Sequence, residues 1–311
     1  MPQTSARRRR RADAPSVVAG APPVEAVAEV RRNTALSADA FLLDLMVDMP
    51  AALPGQFVML GLPDGAAPLL RRPFSVMGHD PSRKSLEIHY SARGAGTRVL
   101  SELRPGHKLG LLGPLGRHFP QAAEVARRPA DLEGGLAPLS VLVAGGRGTA
   151  PLIFFAERAR RSVGGSSGPV LFLAGARTAA QLVLLDRIHA TEVFVSTDDG
   201  SAGKKDTVIG LLKSLDGQPD FALGAAGRET RRRPGAVLYG CGPAGMLREL
   251  HSYAESRGLP CFVSLEARMA CGLGVCQGCA VRLTGSRYAL VCKEGPVFES
   301  CLVDWAQYEG A

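Results

Sequence analysis

The chain has 311 residues, 46% of them hydrophobic and 21% charged, which is enough apolar material for two or three ordinary cores. Its formal net charge of +8 is uneven: Arg7 to Arg11 is a run of five arginines, and Arg228 to Arg233 adds four more, both set among Ala, Gly, Pro and Ser. Without interleaved aromatics these runs read as solvated tails and loops, so a nucleic-acid module is excluded; no apolar run is long enough to span a bilayer, so no membrane segment is expected either. Six of the seven cysteines lie from Cys261 to Cys301, a usage that points to a reducing, cytoplasmic setting and not to a disulfide framework.

Residues 1–22 carry Arg, Ala and Pro without periodicity and read as a disordered extension with no secretory signal. From Val24 the text changes to short apolar or alternating runs: Val24–Val30, Ala40–Val47, Gln56–Leu60, Ser85–Ser91 and Lys108–Leu112, separated by Pro, Gly and Asp. Several short strands with turn signals between them predict an antiparallel β-barrel over residues 23–120. Residues 121–138 read as a connector.

The period then changes. Strands are expected at Leu139–Ala144, Val170–Ala174, Val193–Ser196 and Val237–Tyr239, alternating with helices at Ala150–Arg161, Thr178–Ile188, Val208–Ser214 and Ala244–Arg257. This alternation predicts a Rossmann-like α/β domain with a parallel sheet over residues 139–260, interrupted by an insertion at 217–234. The remaining residues, 261–311, form a small C-terminal unit around clustered cysteines.

In that unit Cys271, Cys276, Cys279 and Cys292 are separated by four, two and twelve residues, and Gly272, Gly274 and Gly278 stand in the same loop. Zinc knots usually pair two short Cys-x-x-Cys units. Here three thiols share one glycine-rich loop and the fourth arrives alone. This spacing resembles that of plant-type ferredoxins, and the resemblance implies a [2Fe–2S] cluster with those four cysteines as ligands. Cys261 and Cys301 fall outside the spacing.

Three other motifs carry chemistry. Arg71-Arg72-Pro73-Phe74-Ser75 is preceded by Pro54-Gly55-Gln56 and followed by Gly94-Ala95-Gly96-Thr97. Together these resemble the flavin-binding barrel of the ferredoxin reductase superfamily. The resemblance implies FAD, with Arg72 toward the pyrophosphate, Pro73 and Phe74 beside it, and Ser75 at the redox-active edge. His89, Tyr90 and Ser91 would line the neighbouring strand, and Gly96 and Thr97 would offer donors to phosphate. Gly145-Gly146-Arg147-Gly148-Thr149 follows a strand and opens a helix, which suits a phosphate of a dinucleotide. Arg147 departs from the aliphatic residue usual in the superfamily. Cys241-Gly242-Pro243 ends another strand, at the position that in the superfamily sits beside the nicotinamide. Thr197-Asp198-Asp199-Gly200 follows the third α/β strand and favours NAD over NADP through ribose hydroxyls. No residue is expected to act as a catalytic acid, base or nucleophile.

A two-electron hydride carrier and a one-electron cluster need a flavin between them, so the chain reads as an electron conduit. The order barrel, nucleotide domain and C-terminal cluster, with Ser264-Leu265-Glu266-Ala267-Arg268-Met269-Ala270-Cys271 and Gly295-Pro296-Val297-Phe298, is similar to the electron-transfer subunits of type B dihydroorotate dehydrogenases. That resemblance implies a partner, an FMN-containing dihydroorotate dehydrogenase catalytic subunit, in a heterotetramer with two of each chain, serving pyrimidine biosynthesis with NAD as co-substrate. One alternative is the small subunit of an NAD(P)H:ferredoxin oxidoreductase or sulfide dehydrogenase, a group in which the first cysteine ligand is an aspartate. The other is a non-catalytic iron–sulfur scaffold.

Overall fold

The computed structural model describes residues 21–63, 68–125, 138–161, 168–216 and 235–310. Residues 1–20 of the extension expected at 1–22 and the insertion expected at 217–234 lie outside the described residues, as does most of the connector.

Seven strands form the first unit: β1 (Val24–Ala35), β2 (Ala40–Met46), β3 (Phe57–Leu60), β4 (Arg72–Ser75), β5 (Gly78–Asp80), β6 (Ser85–Ser91) and β7 (Lys108–Leu115). They hydrogen-bond in the order β4-β3-β7-β1-β2-β6-β5, every pair antiparallel. Leu43 and Leu45 of β2, Val58 and Leu60 of β3, Leu86 and Ile88 of β6 and Leu111 of β7 meet in one buried cluster. Strands from across the sheet share that cluster, so the sheet must curl around its apolar face. Helix α1 (Ala95–Glu102) begins inside the Gly-Ala-Gly-Thr segment, which carries no helical pattern. The Thr97 hydroxyl explains it: it accepts from the backbone N–H of Gly94 and of Arg93, 3.0 Å in each case, and so caps the first turn. A single turn, α2 (Ala122–Val125), follows the barrel.

The second unit contains β8 (Leu139–Gly145), α3 (Thr149–Arg161), β9 (Val170–Ala176), β10 (Glu192–Thr197), β11 (Lys204–Lys205), α4 (Val208–Asp216), β12 (Ala236–Cys241), α5 (Ala244–Arg257) and β13 (Cys261–Ser264). Their sheet runs β11-β10-β9-β8-β12-β13 in parallel, and β16 (Val297–Glu299) adds antiparallel to β13. The sheet therefore extends past residue 260, and the cluster segment grows out of its edge. From Ser140 to Gly145 β8 is buried throughout, as a strand covered on both faces must be. Leu152 and Phe155 of α3 pack on one face, and Leu211 of α4 and Leu250 of α5 on the other.

The helix expected at Thr178–Ile188 does not form. Two 3₁₀ turns, Ala179–Gln181 and Leu185–Arg187, stand in its place, divided by Leu184 with φ near +70°. A left-handed residue cannot continue an α-helix, and the turn it makes buries Leu184 and Ile188 in the core.

Strands β14 (Ala280–Leu283) and β15 (Arg287–Leu290) make a hairpin after the cysteine loop. Val291, Cys292 and Trp305 belong to the same core cluster as Leu238 of β12 and Met59 of β3. The cysteine segment is thus packed on both other units. Among the described residues no helix is long and apolar enough to cross a membrane.

Candidate functional site

Two cavities and a cysteine loop lie in sequence along the junction of these units. The larger cavity, about 520 Å³, sits at the carboxyl ends of β8, β9, β10 and β12, where open α/β sheets bind ligands. Its floor is two touching turns, one after β8 and one after β12. A Cβ on Gly148 would lie 2.0 Å from the carbonyl oxygen of Cys241, and one on Gly145 would lie 2.6 Å from the sulfur of Met246. Only glycine lets the turns meet this closely. Gly145, Gly146, Gly148, Gly242 and Pro243 all border this cavity. Thr149 does not; its hydroxyl donates to the Gly146 carbonyl at 2.7 Å and holds the turn. Of the two acidic residues after β10, Asp198 borders the cavity, whereas Asp199 accepts from the Ser201 N–H (2.9 Å) and hydroxyl (2.6 Å). The Ser201 hydroxyl, then its N–H, hold the Asp199 carboxyl below its ordinary value, so this group serves the turn itself.

The smaller cavity, about 260 Å³, lies between the barrel and the second unit. Pro73, Phe74 and Ser75 of β4 and His89, Tyr90 and Ser91 of β6 form its barrel side, with Cys241 and Ser264 opposite. Tyr90 stacks on Phe41 and donates to Asn33 at 3.1 Å, which fixes the wall. His89 is buried, and neither ring nitrogen has a hydrogen-bond partner. Burial, then the charge of Arg147, pushes its pKa down to about 4, so the ring is neutral near pH 7. A neutral imidazole with two free nitrogens offers one donor and one acceptor to whatever fills the cavity. Cys241 is also buried, and burial raises its thiol to about 12. It is a neutral thiol and no nucleophile.

Arg72 is on β4 but not on this cavity. Its guanidinium donates to the carbonyls of Pro68 (3.1 Å) and Leu70 and lies against Gly96, where a Cβ would sit 2.3 Å from Nε. Arg72 and Gly96 therefore come together, at the opposite end of β4 from Ser75. Thr97 borders the cavity, although its hydroxyl proton goes to the Gly94 carbonyl at 3.1 Å.

The wall formed by Ser264 to Met269 leads straight into the cysteine loop. Ala267 and Met269 border the smaller cavity, and Cys271 is two residues further on, within roughly 7 Å along the backbone. Gly272 and Gly274 adopt positive φ, and a Cβ on Gly272 would lie 2.7 Å from Met59 of β3. The loop thus seats on the barrel floor. Backbone N–H groups of Cys276 (3.5 Å) and Leu273 (3.3 Å) point at the Cys271 sulfur and hold its thiol down to about 6. Cys279 and Cys292 are buried side by side with sulfurs 3.3 Å apart. The four thiols form two neighbouring pairs, 271 with 276 and 279 with 292. Among the described residues no three donors converge tightly enough for a single ion. Two pairs on a loop rich in N–H groups suit two irons with bridging sulfides better than one tetrahedral zinc.

Sequence reasoning missed Glu266, which borders both cavities, and Tyr308, whose hydroxyl donates to the Glu266 carbonyl (3.2 Å) and accepts from the Glu266 N–H (2.9 Å). Glu266 was within reach, as it lies in the segment leading to Cys271. Tyr308 gave no local signal.

Residues 266–304 match the sequence model of the iron–sulfur cluster binding domain of dihydroorotate dehydrogenase B. The chain is similar to the dihydroorotate dehydrogenase B (NAD(+)) electron transfer subunit of Geobacillus thermodenitrificans, 36% identical over 250 residues that cover 79% of this chain and 85% of that one. The subunit of the same name from Desulforamulus reducens is 33% identical, covering 82% and 87%. Among solved structures, an NADH-dependent reduced ferredoxin-NADP oxidoreductase superposes with a TM-score of 0.71 at 25% identity, covering 89% of this chain and 90% of that one. A ferredoxin NADP+ reductase from Neisseria gonorrhoeae with bound FAD and NADP, 16% identical with a TM-score of 0.54 over 76% and 92%, shares the fold.

Proposed function

The chain belongs to the electron transfer subunits of NAD(+)-linked dihydroorotate dehydrogenase B, and from that premise we propose that it carries electrons from the FMN of a catalytic subunit, through a [2Fe–2S] cluster and FAD, to NAD+. It is an oxidoreductase subunit that requires a catalytic partner and serves pyrimidine biosynthesis. The cluster ligands are Cys271, Cys276, Cys279 and Cys292. FAD occupies the smaller cavity, against Pro73, Phe74, Ser75, His89, Tyr90, Ser91 and Thr97, with its pyrophosphate toward Arg72 and Gly96. The dinucleotide occupies the larger cavity on Gly145, Gly146 and Gly148, a turn held by Thr149, with its ring beside Gly242 and Pro243 and toward Cys241 on the smaller cavity.

One observation carries this reading. The segment from Ser264 to Met269 walls the flavin cavity and runs directly into the first cluster ligand. FAD supplies the exchange between single electrons and hydride. This chain's residues bind and orient: Ser75 and the neutral His89 present polar groups to the flavin, and the cysteine loop presents its exposed Cys276 side to the partner. Leu273 and Val275, 48% and 79% exposed between the ligand cysteines, offer the catalytic subunit an apolar contact over the cluster. The relatives' name supports assembly with that subunit, and we infer two of each chain in a heterotetramer. All seven cysteines are free thiols, which supports a reducing, cytoplasmic setting. Cys271 stands where the NAD(P)H:ferredoxin oxidoreductase alternative has aspartate, and the two cavities argue against a mere scaffold.

Anaerobic preparation should yield a coloured protein with one FAD, two irons and two sulfides per chain. Cys276→Ser should keep NADH-to-dye transfer through FAD and abolish transfer from the catalytic subunit to NAD+. A colourless chain, or equal losses in the two assays, would sink the proposed order of carriers.

A further inference from the structure

Among the described residues the two cavities share two bordering residues, Arg147 and Glu266. Arg147 sits on the short turn between β8 and α3, and that turn packs against β6, which carries His89. Among the described residues its guanidinium has no ion-pair partner. Arg72 stays off the smaller cavity, whereas Arg147 borders it together with Ser75, His89 and Cys241. His89, on the lining of the same cavity and buried with both nitrogens unpartnered, suits that cavity to a polar ring system.

We propose that Arg147 is a charge-tuning residue for the flavin: a cation at the junction of the two cavities, without an ion-pair partner among the described residues, that favours the reduced form. The inference rests on the flavin reading of the smaller cavity. Taking up two electrons and one proton leaves the isoalloxazine with one net negative charge. Giving a hydride to NAD+ forms NADH and restores the neutral ring. A cation on the border of the cavity interacts with the charged form and not with the neutral one, so it shifts the equilibrium toward reduction. Arg147 is itself exposed, and water screens part of the effect until a dinucleotide covers the junction. An aliphatic residue at this position exerts no such pull. The glycine turn does not require arginine there, since its close approaches are made by Gly145 and Gly148.

The test is a spectroelectrochemical titration of FAD in the full chain. Arg147→Leu should shift the reduction equilibrium about tenfold toward the oxidised form, roughly 30 mV for a two-electron couple. Arg147→Lys, which restores the charge, should stay within about twofold of the parent, a rescue that a packing role for the side chain would not give. If Arg147→Leu loses FAD, the same titration on Arg147→Gln, polar but uncharged, decides the matter. An unmoved equilibrium in a charge-free variant with full FAD content overturns the inference and leaves the functional reading standing. A parent chain that binds no FAD overturns both.

Discussion

The sulfurs of Cys279 and Cys292, thirteen positions apart in sequence, lie 3.3 Å from each other in a shell of buried apolar side chains. Cys276, on the same loop, is exposed. The four thiols therefore divide by environment as well as by spacing. Cys292→Ser and Cys276→Ser should each remove the cluster's electron paramagnetic resonance signal. In the metal-free chains they should differ. Serine at 292 puts a hydroxyl among apolar groups beside the Cys279 thiol and should cost about 1–3 kcal/mol of stability. Serine at 276 should stay within about 0.5 kcal/mol. Urea unfolding of the two metal-free variants checks the contrast, and equal losses would mean that burial does not separate the pairs.

Much of this arrangement was legible in the chain. Ser85–Ser91 and Ala244–Arg257 form over the residues their patterns predict, because strand alternation and helical period are local signals. Thr178–Ile188 reads equally well as a helix, but tertiary packing of Leu184 and Ile188 sets a left-handed residue in its middle. The helix at Ala95 is hidden for the opposite reason: glycines are poor helix formers, and the Thr97 cap overrides them. The joint border formed by Arg147 and Glu266 has no sequence signature. They are more than a hundred residues apart, and it is the placement of β8, β12 and β13 side by side that joins them.

Gly148 and Gly96 are both crowded, but by different neighbours, and their alanine variants should fail differently. At Gly148 the obstacle is the backbone of Cys241, which cannot turn aside. Gly148→Ala should separate the two turns, cost about 1–3 kcal/mol and weaken NADH binding at least tenfold. At Gly96 the obstacle is the end of the Arg72 side chain, which can swing away. Gly96→Ala should leave the melting temperature nearly unchanged while lowering FAD content. Thermal melts, NADH titration and flavin stoichiometry distinguish the two, and a matching pattern in both variants would refute the assignment of Arg72 to the flavin.

His89 makes stability depend on acid. Its folded pKa, about 4, lies below the ordinary histidine value of 6.5, so the unfolded chain binds the extra proton first. The native state is therefore unpenalised above 6.5 and loses stability as pH falls from there toward 4. Between pH 7 and pH 5 that loss should be roughly 2 kcal/mol. His89→Gln, which has no titrating proton, should flatten this part of the profile. Denaturant midpoints at the two pH values measure it, and an equally steep profile in the variant would assign the acid sensitivity to other groups.

Val275, exposed between Gly274 and Cys276, tests where the catalytic subunit docks. Its side chain faces water, so a charge there costs the fold little, whereas in an apolar interface the same charge would be buried without a partner. Val275→Glu should retain FAD, the cluster signal and NADH-to-dye transfer. It should lower electron exchange with the catalytic subunit at least tenfold and weaken co-purification of the two chains. The cluster signal is the necessary control, because the next residue is a proposed ligand. If the signal survives and exchange with the partner is undiminished, the docking face lies elsewhere, and the exposed Leu273 and Val275 need another explanation.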